Sequence, residues 1–155
     1  MSTQDIYNYI EVDEHFSTAG QPREEQLASA AADGFKTVIN LAPTNPRYSI
    51  KDEPGTVAAL GLAYHHIPVA WDDPHDSDFE AFDRVMQTLP AEGRTLVHCA
   101  ANFRATAFYS LYAIKHLGWS PARAAHFRTT IWSGTHNPIW EAFIARIEAQ
   151  ITTST

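Results

Sequence analysis

Short apolar runs and longer amphipathic segments take turns along this chain. The short runs are rich in Val, Ile and Leu and are bounded by turn residues, which is typical of strands. Strands of this kind are predicted at Lys36–Ala42, Ala63–Val69 and Arg94–Ala100, after two short edge strands at Tyr9–Phe16 and Phe16–Ala19. Because longer segments with helical spacing separate them, the pattern predicts a mostly parallel sheet.

The segments between the strands carry apolar residues at helical spacing. The first predicted helix begins at Pro22 and stops at Gly34. Further helices are predicted at Glu53–Leu60, Ser77–Leu89 and Phe103–Leu117, followed by two more, the last of which begins at Asn137 with Pro138. Ser77 and Glu80 have the spacing of a capping box. The chain is therefore predicted to be one α/β domain, residues 1–155, with a central sheet of about four to five strands and helices on both faces.

Composition narrows the classes of function. A chain of 155 residues can bury enough surface for one core, and its single cysteine cannot form an internal disulfide. No apolar run approaches the roughly 20 residues of a membrane span, so we expect a cytoplasmic protein with no membrane partner. A formal net charge of −7 argues against a nucleic-acid partner. The oligomeric state is left open.

The one cysteine, Cys99, ends the third long apolar run, and Arg104 follows at the start of a predicted helix. A helix N-terminus offers unpaired N–H groups to an anion, and a thiolate at that point is a nucleophile. A guanidinium can hold two phosphate oxygens at once. This order predicts a nucleophilic, phosphate-binding cysteine, with a buried structural cysteine as the alternative.

Acidic residues lie on a loop that should approach Cys99. Ligands of open α/β sheets bind beyond the carboxyl ends of the strands, so we expect residues 43–52, residues 70–76 and the Cys99 loop to converge. Asp72 and Asp73 are candidates for the acid that protonates a leaving oxygen. Asp72 is preferred because it directly follows Trp71, and the alternative is that both carboxylates only face solvent.

A metal site is not expected. His65 and His66 are adjacent on a predicted strand. Their side chains therefore point to opposite faces and cannot share an ion. The chemistry predicted for Cys99 needs neither a metal nor an organic cofactor.

The segment from His98 to Thr106 resembles the P-loop of the cysteine-dependent protein tyrosine and dual-specificity phosphatases, and nearly the whole chain resembles a small bacterial branch of that superfamily. The resemblance implies that Cys99 is the nucleophile, that an aspartate near Trp71 is the general acid, and that His98 shapes the loop and helps to lower the pKa of the thiol. Thr106 is the supporting hydroxyl, one position after the place where the family carries a Ser or Thr that steadies the thiolate. It also implies a phosphorylated protein or small molecule as the partner. The implied phosphate-binding residues are Cys99, Ala100, Ala101, Asn102, Phe103 and Arg104.

The loop departs from the usual phosphatase pattern in its length. Four residues separate Cys99 from Arg104, where five are usual, and Asn102 stands where short-loop relatives carry Gly. A loop of this length is also found in rhodanese-like sulfurtransferases, in which the cysteine carries a persulfide, but no other rhodanese signature is found in this chain. Hydrolysis of phosphomonoesters through a cysteinyl-phosphate is therefore the expected function. Sulfur transfer and a catalytically weak phosphate-binding module are the alternatives.

Overall fold

The computed structural model describes residues 2–153 and is built around a five-stranded sheet in the order β1-β2-β5-β3-β4. The strands are β1 (Ile10–Glu11), β2 (Phe16–Ala19), β3 (Phe35–Asn40), β4 (Ala63–His66) and β5 (Arg94–His98). Strand β1 pairs with β2 in the antiparallel sense, and the remaining pairs are parallel. The predicted α/β fold with a mostly parallel sheet is confirmed.

Six α-helices accompany the sheet within the described residues. They are α1 (Glu24–Ala32), α2 (Glu53–Ala59), α3 (Asp76–Gln87), α4 (Phe103–His116), α5 (Pro121–Trp132) and α6 (Pro138–Thr153). A short 3-10 turn at Thr3–Asp5 precedes the sheet and has no counterpart in the sequence prediction. Between residues 2 and 153, no helix is both long and apolar enough to cross a membrane.

The two faces of the sheet bury different cores because successive side chains of a strand point to opposite sides. Ile39 and Val97 belong to the larger core, which contains the buried aromatic residues of α3, α4 and α6. Val38 packs on the other face with Leu27 of α1 and Val57 of α2. Helices therefore cover both faces, as predicted.

Two predicted boundaries are wrong for identifiable reasons. Strand β1 has two residues because the Asp13 carboxylate accepts hydrogen bonds from the N–H groups of His15 and Phe16, at 2.7 and 2.9 Å, which closes a turn where extended chain was expected. The capping box of Ser77 and Glu80 does not form, because α3 begins one residue earlier, at Asp76. The residue before the helix is His75, and its N–H donates to the Asp78 carboxylate at 2.9 Å.

Candidate active site

The sheet fixes the position of Cys99. The N–H of Cys99 donates to the Ala19 carbonyl at 3.2 Å, and the Leu41 N–H donates to the His98 carbonyl at 2.8 Å. Backbone pairing therefore continues past β5 on the side of β2, through Cys99, and past β3 on the other side, through Leu41. The nucleophile candidate leaves the sheet in a fixed direction, next to the start of α4.

The carbonyl groups of the loop are held on its outer side. The Cys99 carbonyl accepts from Nδ1 of His98 at 3.0 Å, and the Ala100 carbonyl accepts from the Gln21 N–H at 2.9 Å. A peptide unit is planar, and its N–H points opposite to its carbonyl. The N–H groups of Ala100 and Ala101 therefore point away from these anchors, which is the orientation that an anion cradle needs.

The turn from the loop into α4 is made by Asn102. Its φ of 74° is in the left-handed region, where asparagine is more common than most residues. The side-chain Nδ2 of Asn102 donates to the Asn8 carbonyl at 2.7 Å, and Nδ2 of Asn8 donates to the Ala101 carbonyl at 3.0 Å. An asparagine thus takes the place of the expected glycine, and a partner from the N-terminal segment holds it.

A pocket of about 260 Å³ opens at this loop, lined by Trp71, Cys99, Ala100, Ala101, Phe103 and Arg104. Arg104 is 6% exposed, and its Nη1 donates to the Val69 carbonyl at 2.9 Å. Its Nε is buried and has no hydrogen-bond partner among residues 2–153. Leaving a buried charged donor unpaired is unfavourable, so this guanidinium is suited to receive an anion.

A buried ion pair lies behind the nucleophile candidate. Nε2 of His98 is 2.6 Å from the Glu53 carboxylate, and Gln21 donates to the same carboxylate at 2.7 Å. Burial opposes ionisation of Glu53, but the charge of His98 and hydrogen bonds from His98, Gln21 and Tyr64 outweigh it and hold the pKa of the carboxyl below its usual range. Both ring nitrogens of His98 therefore face oxygen atoms, one being the Cys99 carbonyl and the other this carboxylate, and the two contacts fix the orientation of the ring next to Cys99.

Thr106 supports the start of α4. Its hydroxyl donates toward the carbonyls of Asn102 and Phe103, at 2.8 and 3.1 Å, and accepts from the Trp132 indole N–H at 3.2 Å. The hydroxyl is buried and directed to its own helix start. In this structure Thr106 stabilises the junction between the loop and the helix.

The loop that carries the acid candidates is anchored at Trp71. The Trp71 ring lies 5.6 Å from the Trp140 ring, and the indole N–H of Trp140 donates to the Trp71 carbonyl at 2.6 Å. Asp72 and Asp73 follow on the exposed side and do not line the pocket. Asp73 lies 3.0 Å from Nε2 of His75, whereas Asp72 has no hydrogen-bonding partner within residues 2–153. Their assignment as general acid stays a prediction.

Two of the three expected loops meet at the pocket. Residues 43–52 contribute none of the residues that line it, so that part of the prediction is wrong. Glu53, which follows them at the start of α2, binds His98 and was missed by the sequence analysis. Its partner is 45 residues away, and no local pattern marks the contact. Among residues 2–153, no group of three His, Cys, Asp or Glu side chains is arranged to hold a metal ion.

A larger cavity, of about 370 Å³, lies at the far end of α4. It is lined by Lys115 and His116 together with residues of α3 and α6, and Cys99 does not reach it. The cavity contains no thiol and no buried unpartnered cation. The features predicted for the site, a thiol and a buried cation without a full set of partners, are thus found in the smaller pocket at Cys99.

The architecture and the Cys99 loop define a phosphatase-like protein, and comparisons with known proteins agree. The chain belongs to the family of the phosphatase-like domain of beta-lactamase hydrolase-like proteins, whose model matches residues 8–115. The beta-lactamase hydrolase-like protein of Xylella fastidiosa is 32% identical over 105 residues, which cover 66% of this chain and 24% of that protein. The chain thus matches about a quarter of the length of this relative.

Solved structures give the same result. A candidate phosphatase from Shewanella putrefaciens is 32% identical, with a TM-score of 0.86 over 95% of this chain and 92% of that one. PTPMT1 is 16% identical, with a TM-score of 0.77 over 94% of this chain and 97% of that one, and shares the fold. The family and the Shewanella structure support a phosphatase, and PTPMT1 supports the fold.

Proposed function

We propose that this protein is a cysteine-dependent phosphatase that hydrolyses phosphomonoesters, of the tyrosine or dual-specificity type, through a cysteinyl-phosphate. The observation that carries the proposal is the pairing of Cys99 with the buried, unpartnered Nε of Arg104 in one pocket. The N–H groups of Ala100 and Ala101 add donors on the same side of the loop. Such a site favours the anion that Cys99 would attack.

In the proposed first step, the thiolate of Cys99 attacks phosphorus, and the bond from phosphorus to the ester oxygen breaks. Arg104 and the loop N–H groups hold the three remaining oxygens. Asp72 in its acid form gives its proton to the leaving oxygen. In the second step, water attacks the cysteinyl-phosphate while the Asp72 carboxylate takes a proton from it, and phosphate leaves with the thiolate restored.

The direct test is hydrolysis of p-nitrophenyl phosphate near pH 6 by the wild type and by Cys99→Ser. We expect turnover by the wild type and its loss in the variant, because serine is a far weaker nucleophile at this pH. The substitution removes one sulfur from a site whose backbone is held by the sheet, so the variant should melt within a few degrees of the wild type. Equal turnover by both proteins would refute the cysteine mechanism.

Sulfur transfer is the second candidate, and the short loop favours it. The four residues between Cys99 and Arg104 give the loop the length found in rhodanese-like enzymes. In that case Cys99 would take a sulfane sulfur from thiosulfate, releasing sulfite, and pass it to cyanide as thiocyanate. Thiosulfate-dependent thiocyanate formation that is lost in Cys99→Ser, without p-nitrophenyl phosphate turnover, would replace the phosphatase proposal with this one.

A further inference from the structure

One residue far from the loop in sequence holds the turn from the loop into α4. Asn8 donates from Nδ2 to the Ala101 carbonyl at 3.0 Å, and its own carbonyl accepts from Nδ2 of Asn102 at 2.7 Å. Asn8 and Asn102 are separated by 94 residues. This reciprocal pair therefore connects the N-terminal segment, which precedes β1, to the anion cradle, by which we mean the N–H groups of the loop that follows Cys99.

The contact is reinforced by its neighbours. The Gly20 N–H donates to the Tyr7 carbonyl at 2.7 Å. A Cβ at Gly20 would lie 2.7 Å from the Ala100 carbonyl oxygen and 2.8 Å from the Tyr7 ring. The N-terminal segment, the end of β2 and the loop are thus packed too closely for any side chain at this glycine.

Both asparagines have an uncommon backbone conformation. Asn8 has a φ of 53° and Asn102 a φ of 74°, and they are the only residues other than glycine with a positive φ in the described part of the chain. Conformations of this kind persist when surrounding contacts hold them. The two amide side chains supply those contacts to each other's segment.

The position of Asn8 has a consequence for the loop N–H groups. The hydrogen bond from Asn8 fixes the peptide unit between Ala101 and Asn102, and Asn102 sets the direction in which α4 begins. The first N–H groups of α4 and the Arg104 side chain depend on that direction. Because the loop is one residue shorter than usual, fewer donors remain, and the orientation of each one matters more.

We propose that Asn8 is a positioning residue for the anion cradle of Cys99, acting through Ala101 and Asn102 without touching the substrate. The inference rests on the proposed function, since it concerns the same site. It assigns the N-terminal segment a role in anion binding in addition to its packing against α1.

The test compares alkylation of Cys99 by iodoacetate, which is an anion, with alkylation by iodoacetamide, which is neutral. In both reactions the thiolate sulfur displaces iodide, and Cys99 is the only thiol in the chain, so the ratio of the two rates reports anion binding at the cradle without any turnover. Asn8→Gly removes the side chain while glycine keeps the positive φ. We expect the ratio to fall about fivefold, the effect of one lost hydrogen bond.

A matched control is available in the same segment. Thr3 donates to the Asp33 carboxylate at 2.5 Å and makes no contact with the loop. Thr3→Val should therefore lower the melting temperature, because it removes this hydrogen bond. The iodoacetate-to-iodoacetamide ratio should stay within about twofold of the wild type, because the substitution leaves the loop at Cys99 unchanged. An equal fall of the ratio in both variants would overturn the positioning role.

The partner side of the pair gives a second variant. Asn102→Gly keeps the left-handed turn and removes the hydrogen bond to Asn8. Because the two side chains act together, the double variant Asn8→Gly/Asn102→Gly should show a smaller ratio change than the product of the two single changes. Multiplicative effects would contradict the coupling. In p-nitrophenyl phosphate hydrolysis, Asn8→Gly should raise KM more than it lowers kcat.

The outcomes separate this inference from the proposed function. If the wild type reacts no faster with iodoacetate than with iodoacetamide and binds no phosphate, anion binding at the Cys99 loop is refuted. The proposed function and the positioning role of Asn8 are then both wrong. If the wild type prefers iodoacetate and Asn8→Gly keeps that preference, the role of Asn8 is refuted while the proposed function stands.

Discussion

The two ends of α4 both carry buried or half-buried charge, and they differ in whether that charge is fully partnered. At the C-terminal end, the Asp83 carboxylate accepts from Lys115 at 2.5 Å and from His116 at 2.7 Å. At the N-terminal end, Arg104 has one hydrogen bond to a carbonyl and a buried Nε without a partner among the described residues. The two ends are about 20 Å apart, given the 14 residues of the helix.

The helix dipole sharpens this difference. Cations at a helix C-terminus are favourable, so Lys115 stabilises α4 at its last turn. A cation at the N-terminus is unfavourable, and α4 has no acidic residue in its first turn to compensate for Arg104. The charges of the C-terminal cluster are thus partnered within the protein, whereas those at the N-terminal end are partnered only in part. A buried donor without a partner is not a binding site by itself, because Nε of Arg94 is one as well among the described residues. At Arg104 the same feature lies in one pocket with a thiol.

The largest expected effect is that of Arg104→Lys. An ammonium group cannot hold two phosphate oxygens in a plane, so kcat/KM for p-nitrophenyl phosphate should fall about 10³-fold. Arg94→Lys is the matched control, because Arg94 lies at the opposite end of β5 and pairs with Glu11 at 2.9 Å. We expect Arg94→Lys to keep activity within about twofold. Activity retained by Arg104→Lys would refute the comparison between the helix ends.

The second effect distinguishes the two candidates for the general acid, Asp72 and Asp73, of which only Asp73 has a side-chain partner in the described part of the chain. Asp72→Asn should lower kcat for phenyl phosphate about 10²-fold, because this poor leaving group needs the proton, and lower kcat for p-nitrophenyl phosphate less. Asp73→Asn serves as the control, since Asp73 already pairs with His75. The reverse order of effects would assign the acid to Asp73.

A third, smaller effect is expected for Glu53→Gln. Without the carboxylate, His98 loses its close partner and holds the Cys99 carbonyl less firmly, so kcat/KM should fall about tenfold. The pKa of Glu53 is held below its ordinary 4.5, so its contribution to stability is present above that value and is lost as pH falls through the folded pKa. The wild type should therefore exceed the variant in free energy of unfolding near pH 6, and the gap should narrow below about pH 4.5.

Urea denaturation at several pH values measures the gap. Glu92→Gln, at an exposed turn position, is the control and should show no gap at any pH. A Glu53→Gln variant as stable as the wild type near pH 6, with unchanged kcat/KM, would show that the ion pair with His98 contributes neither to folding nor to the site.

The local parts of this site could be predicted from sequence, and the distant parts could not. The apolar run before Cys99 and the amphipathic pattern after it indicate a strand, a loop and a helix, and their order places Arg104 beside the thiol. The Glu53 side chain contacts His98 across 45 residues, and the Asn8 side chain donates to the Ala101 carbonyl across 93. Periodicity reports which face of an element is buried and carries no information on such contacts.

Helix ends show the same limit on a smaller scale. An acidic side chain follows three residues after Ser77, as Glu80, and three residues after His75, as Asp78. Sequence alone does not show which of the two pairs forms the start of α3. In the structure, Asp78 accepts from the His75 N–H, and Asp76 pairs with Arg146 at 2.8 Å. The tertiary contact to α6 favours the earlier start, which propensity does not include.

The smallest expected effect on activity is that of Asp83→Asn, at the completed end of α4. Burial opposes ionisation of Asp83, but hydrogen bonds from Lys115 and His116 outweigh it and lower the pKa of the carboxyl. Losing these interactions should reduce the free energy of unfolding at pH 7 by about 2 kcal/mol, less than for a fully buried pair because Lys115 is 43% exposed. Since the folded pKa is below 3.8, this loss should shrink as pH falls below about 4.

Urea denaturation gives the stability of Asp83→Asn, and p-nitrophenyl phosphate hydrolysis gives its activity, which should stay within about twofold of the wild type. The Asp83 carboxylate contacts Lys115 and His116 at the far end of α4 and Gln87 of its own helix, and none of these lines the pocket at Cys99, so the substitution leaves that pocket unchanged. A tenfold loss of kcat/KM at unchanged KM would mean that the register of α4 at its far end sets the position of Arg104. The two ends of α4 would then be coupled, and the contacts of Asp83 with Lys115 and His116 would be needed to hold Arg104 in the pocket.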